Sequence, residues 1–157
     1  IPGPGERKPD LSDDILKIIP ATPDFAPKAS AISGAESYLR ELGFTLDATA
    51  MTSEIEFVDC GGNLERISCP FCGAVLATES WQDAMNRSYE TRFADRNLKL
   101  PCCKRNSKLE DLIYDWPMGF AKFVLHLRNP VDLWGPGILT HLELLLDTPL
   151  REIWAHY

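Results

Sequence analysis

The sequence predicts an α+β domain: a mostly antiparallel sheet with packed helices and an embedded zinc-ribbon-like knuckle. Three observations lead there. Apolar residues make up 45% and charged residues 25% of the 157 residues, a globular composition in a chain long enough to bury a core without staples. Segments of helical period interleave with alternating segments, and the alternating ones are joined mainly by short turn signals, as hairpins require and parallel crossovers do not. Two cysteine pairs then occur, each directly after a predicted strand.

Residues 1–10, IPGPGERKPD, have neither helical nor alternating period and read as a flexible leader, with one domain from 11 to 157. They are polar and proline-rich where the apolar core of a signal peptide would be needed, and the first residue is Ile1, as expected of a processed chain. A short amphipathic helix is predicted from Leu11 to Ile19, with Ser12 as N-cap and Pro20 as stop. The two-proline stretch after it is extended. Ser30 or Ser33 can cap the next helix, where Ala35, Tyr38, Leu39 and Leu42 recur at helical spacing before Gly43.

Ser53 to Cys60 has a strand pattern. The turn Gly61-Gly62-Asn63 then predicts a hairpin, with Leu64 to Ser68 returning antiparallel and delivering Cys69. Glu79 to Glu90 reads as a helix with a stripe of Trp81, Ala84, Met85 and Tyr89. A strand from Asn97 to Pro101 follows, and Leu109 to Tyr114 is ambiguous between strand and helical turn. Phe120 to Leu127 is a strand, Leu139 to Leu146 a helix, and Pro149 to Tyr157 a terminal strand.

The stretch SCPFCGAVL supplies two thiols in a tight loop that can aim both at one ion. The partner pair is Cys102 and Cys103, separated from Cys72 by 29 residues, room for one helix and one strand. The predicted structural Zn²⁺ set is Cys69, Cys72, Cys102 and Cys103, in an element spanning 69–103. Adjacent residues on a regular strand face opposite ways, so this set requires the chain to turn at Cys102–Cys103. Otherwise Cys60 is the substitute ligand. Burial as small apolar side chains and CxxC redox chemistry are the competing readings; the second lacks the helix that a redox CxxC opens.

A four-thiolate site is closed and activates no water, so it points to architecture rather than catalysis. The three histidines are scattered, and no nucleophile elbow, phosphate loop or zinc-protease motif occurs. Asp59, in FVDCGGNLE, and Asp115, in YDWPMGF, sit in turns and mark the places where an enzyme pocket would lie.

Charge is unevenly spread. Residues 1–86 carry six basic and fourteen acidic groups, net −8; residues 87–108 carry seven and two, net +5; residues 109–157 carry three and seven, net −4. The acidic majority, within an overall charge of −7, suits a protein partner. The basic segment 87–108, with Arg96, Lys99, Lys104, Arg105 and Lys108, is the alternative, a nucleic-acid contact. Five cysteines, an odd number, suit a reducing, cytoplasmic setting, and no run approaches the roughly 18 apolar residues of a membrane helix.

The order FVDCGGNLE, SCPFCG, a helix bearing Trp81 and Met85, LPCC, LEDLIYDWPMGFAKF and PLREIWAHY resembles a family of bacterial proteins carrying the same motifs from about Phe57 onward. That resemblance implies a bacterial, cytoplasmic protein and brings no activity with it. The expectation is therefore a zinc-stabilised, non-enzymatic protein-interaction module, of an immunity or antitoxin-like kind. Nucleic-acid binding and an enzyme pocket near Asp59 and Asp115 are the alternatives.

Overall fold

A computed structural model describes residues 13–157. The predicted leader, Leu11 and the predicted Ser12 cap lie outside the described residues. The elements run β1 (Asp14–Pro20), α1 (Ala29–Glu41), β2 (Thr45–Val58), β3 (Ile67–Ser68), α2 (Thr78–Tyr89), β4 (Asn97–Lys99) and β5 (Asn106–Lys108). A 3₁₀ turn (Leu109–Asp111) leads to β6 (Ile113–Tyr114), β7 (Gly119–Arg128), α3 (Pro136–Leu146) and β8 (Leu150–His156). This is the α+β class, with every named strand pairing antiparallel.

Four strands form the main sheet in the order β2-β7-β1-β8. With α1 between β1 and β2 and α3 between β7 and β8, the topology is the split β-α-β, or ferredoxin-like, arrangement. The cysteine-bearing segment is an insertion between its second and third strands.

The segment expected as the first helix is instead β1. Ile15, Leu16, Ile18 and Ile19 are all buried, which a central strand covered on both faces requires and an amphipathic helix would not. Leu16 and Ile18 meet α1 and α3 through Leu39, Leu142 and Leu146, while Ile19 faces the other way onto Val58, Met118 and Ile153. The run of β-branched residues is the local cause.

Helix α1 starts with Lys28 in the cap position and no side-chain cap, so Ser30 and Ser33 lie inside it. It ends near Gly43 as expected, with Gly43 N–H donating to Arg40 O and Phe44 N–H to Leu39 O, the paired bonds of a Schellman motif. Of the stripe expected on α2, Ala84 and Met85 are buried and Trp81 packs on the same cluster, but Tyr89 is half exposed. Leu109–Tyr114 resolves into a 3₁₀ turn followed by a two-residue strand, and β7, α3 and β8 fall where expected.

The hairpin predicted across Gly61–Asn63 does not form. β2 runs from Thr45 and pairs with β7, whereas β3 pairs with β6. The turn exists but its outlet is the end of β8: Gly62 N–H donates to His156 O, His156 N–H to Cys60 O, and Asn63 Nδ2 to Trp154 O. Gly61 has φ +66°, and a Cβ there would lie 2.3 Å from His156 O. Gly61→Ala is expected to cost about 2 kcal/mol or more in thermal or urea unfolding, because the left-handed dihedral and a backbone clash act together. Gly73→Ala, at φ +75° with open space around it, should lose only the dihedral part, about 1 kcal/mol.

Candidate metal centre

The inserted unit is built from two short loops that repeat one backbone pattern. In the first, Cys69 N–H donates to Ala74 O at 2.8 Å and Gly73 N–H to Cys69 O at 3.0 Å. In the second, Leu100 N–H donates to Arg105 O at 2.8 Å and Lys104 N–H to Leu100 O at 2.9 Å. Gly73 and Lys104 close the loops with φ of +75° and +63°. The segments Cys69-Pro70-Phe71-Cys72-Gly73 and Leu100-Pro101-Cys102-Cys103-Lys104 are therefore structural equivalents.

That equivalence answers how adjacent cysteines reach one site. Cys103 stands where Cys72 stands, and Leu100, fully buried, occupies the place of Cys69. Cys102 occupies the place of Phe71, at the tip of its loop, so the required turn at the pair is the loop itself. The Sγ atoms of Cys69, Cys72, Cys102 and Cys103 all lie within 4.8 Å of one another, and the four residues could hold a metal ion. Cys69 and Cys103 Sγ are 3.8 Å apart, Cys72 and Cys102 Sγ 3.4 Å. Cys60 is not in this set; it is buried in a separate cluster with Val58, Met118 and Ile153, where burial pushes its thiol pKa up.

The four sulfurs are not alike. Cys69 is buried, Cys103 half-buried, and Cys72 and Cys102 exposed. Desolvation raises the Cys69 pKa, but the amides of Cys72 and Phe71, at 3.4 and 3.3 Å from its Sγ, outweigh it and bring the thiol down to about 6. For Cys102, desolvation and the competing sulfurs of Cys72, Cys69 and Cys103 push it up to about 12. Two backbone amides thus favour the thiolate of Cys69 while the neighbouring sulfurs favour the thiol of Cys102, an asymmetry that a bound cation would relieve. All five cysteines are free.

Beneath the loops, Cys69, Leu76, Met85, Leu98, Leu100 and Leu109 pack with Ile55 and Phe120 of the sheet. The loops are thereby fixed to the main domain.

The other predicted residues fall elsewhere. Asp59 bonds the buried Lys17 at 3.0 Å, the Gly61 N–H at 2.9 Å and the Tyr157 hydroxyl at 3.0 Å. Asp115 accepts the Glu65 N–H at 3.2 Å and so secures a turn. His141 stacks near Tyr38, and His156 pairs with Asp14. Of the basic set, Arg96 is withdrawn from the surface: its guanidinium lies 3.0 Å from Glu110, with both side chains largely buried. Lys99, Lys104, Arg105 and Lys108 are exposed, and the Arg105 guanidinium lies 5.2 Å from the ring centroid of the exposed Phe71.

Two features escaped the sequence reading: the Lys17–Asp59–Tyr157 cluster and the exposed aromatic ring at the loop tip. The proline in second position of both loops, Pro70 and Pro101, was the signal for the repeat. Among the described residues no helix is long and apolar enough to cross a membrane. Comparisons of the chain with protein-family models, curated proteins and solved structures found no match.

Proposed function

We propose that the protein is a zinc-stabilised, non-enzymatic interaction module. The observation that carries this reading is the convergence of four sulfurs from two equivalent loops. Zn²⁺ with four thiolates at about 2.3 Å sets sulfurs about 3.8 Å apart, close to the separations of 3.4 and 3.8 Å seen here. Soft thiolate donors in a tetrahedral set favour zinc over magnesium or calcium. Such a site is closed, so its contribution is to hold the inserted unit against the sheet. Five free thiols suit a reducing, cytoplasmic compartment.

Metal analysis of untagged protein, purified without chelator, tests the reading. One zinc per chain is the expected result; protein that is folded and free of metal would overturn it.

The partner proposed is a basic protein, received by the acidic surface outside the insertion as an immunity or antitoxin-like protein would receive its target. Capture of such a partner from the host, lost at high salt, is expected. A second reading has a specific observation in its favour: the Arg105 guanidinium lies over an exposed Phe71 on a segment whose Lys99 and Lys104 are also exposed, a combination suited to single-stranded nucleic acid. A gel shift at low salt that Phe71→Ala and Arg105→Ala abolish would replace the protein partner by a nucleic acid; no shift at low salt removes this second reading.

A further inference from the structure

A cavity lies away from the cysteines, at the seam between the inserted unit and the main sheet. It is an open groove of about 600 Å³, within the size range of small-molecule sites. Its walls come from residues 21–24 after β1, residues 53–55 of β2, the turn after α2 with Arg92, Ala94 and Arg96, and Lys108, Glu110 and Lys122.

Two local departures from regular structure meet there. Between the pairs Met51–Phe123 and Glu56–Ala121, four residues of β2 stand opposite Lys122 alone, so 52–55 bulge out to form one wall. Thr52 holds that bulge, its hydroxyl donating to Glu54 O at 2.6 Å. On the facing wall, Arg92 and Phe93 are consecutive non-glycine residues with φ of +54° and +61°, a conformation that costs energy at each. Arg96 is locked by Glu110 and donates to Phe93 O at 2.6 Å, which fixes that strained turn.

The charges lining the groove sort by partner. Arg96 is paired with Glu110, and Arg92 lies 3.8 Å from Glu54 with both side chains exposed. Lys108, from the inserted unit, and Lys122, from β7, line the groove with no carboxylate on either ammonium among the described residues. Asp24 is the remaining charged group of the lining. Thr22, Ser53 and Thr91 add hydroxyls. In a chain of net charge −7, two unpartnered ammoniums facing one groove concentrate anions against the general field.

We propose that this groove binds a small dianion, a phosphate ester or a dicarboxylate, bridged between Lys108 and Lys122. Binding would span the seam and tie the inserted unit to the sheet. Asp24 opposes an anion there, which gives the proposal a test with two signs.

Glucose 6-phosphate and succinate, both dianions at neutral pH and weak chelators of zinc, would be titrated separately into ¹⁵N-labelled, metal-loaded protein at low ionic strength. The expected result is saturable shifts, in the millimolar range or tighter, confined to amides lining the groove. Lys108→Ala and Lys122→Ala should each weaken binding about tenfold, the value of one charge-assisted hydrogen bond. Asp24→Asn should tighten it. Both lysines lack an ion pair, so these variants should keep the wild-type spectrum elsewhere. Saturation by one probe and not the other identifies the anion class and supports the site. No saturable shift with either, or binding indifferent to all three substitutions, overturns it.

Discussion

Serine at position 69 is expected to abolish metal retention and unfold the inserted unit, whereas serine at position 102 should leave a folded protein with weakened metal affinity. Structural zinc contributes about 10–16 kcal/mol to the folding of small metal domains, comparable to the whole net stability of about 5–15 kcal/mol of an ordinary domain. Losing the anchoring ligand is therefore not an incremental change. In the proposed zinc site Cys69 is that ligand: its sulfur is buried, receives the Phe71 and Cys72 amides, and packs in one cluster with Leu76, Leu98 and Leu100. A serine hydroxyl there is a poorer donor to zinc and a polar intrusion into an apolar cluster.

Cys102 is exposed at a loop tip, where water can take the fourth position. The contrast is read by metal content together with amide spectra, in which Leu98, Leu100 and Leu109 report on the unit and Leu16 and Phe123 on the main sheet. Equal loss in both variants would show that all four sulfurs are equally indispensable and that the asymmetry carries no energetic weight. A sharper version uses the loop equivalence: Leu100→Cys combined with Cys102→Ser moves the fourth thiol to the place matching Cys69. That double variant is expected to bind metal more tightly than Cys102→Ser alone.

How far the fold could be read from sequence depends on where each signal lies along the chain. Helices α1, α2 and α3 and strands β7 and β8 carry their period within one segment, and each was recovered nearly to its ends. β1 was misread because Ile15-Leu16 and Ile18-Ile19 fit a helix stripe or a strand buried on both sides, and only the arrival of α1, α3 and the insertion on its two faces decides between them. The false hairpin has the same origin. Gly61-Gly62-Asn63 does turn the chain, yet the partner of β2 is β7, some sixty residues on, and nothing local to Leu64–Ser68 announces that β6 will claim β3. The four cysteines were legible as a set because ligand chemistry restricts the choice. How Cys102 and Cys103 share a loop was not, because Leu100 hides the repeat unless Pro70 and Pro101 are aligned first.

The buried Lys17 provides the other large expected effect. Its ammonium is met by the Asp59 carboxylate at 3.0 Å, the Asp59 carbonyl at 2.9 Å and the Tyr157 hydroxyl, on a side chain only 8% exposed. Asp59→Ala strands that charge. Removing one partner of a wholly buried pair costs about 3–5 kcal/mol; because the Asp59 side chain is 45% exposed and solvent screens it, about 2 kcal/mol is expected here. Lys17→Met should cost little or stabilise, since it takes an ion out of the sheet centre and leaves a carboxylate that water, Gly61 and Tyr157 can serve. Lys17→Met with Asp59→Ala should resemble Lys17→Met alone.

The pH dependence has a definite sign. Desolvation raises the Asp59 pKa, but Lys17, the Gly61 amide and Tyr157 together outweigh it and hold the carboxyl below its ordinary 3.8. A depressed carboxylate pKa stabilises the fold above the unfolded value and ceases to do so as pH falls through the folded one. The gap in unfolding free energy between wild type and Asp59→Ala should thus be full at pH 6 and shrink below about pH 4. A gap unchanged down to pH 2, or a Lys17→Met variant as damaged as Asp59→Ala, would mean that packing of the lysine stem, not its charge, holds this corner of the sheet.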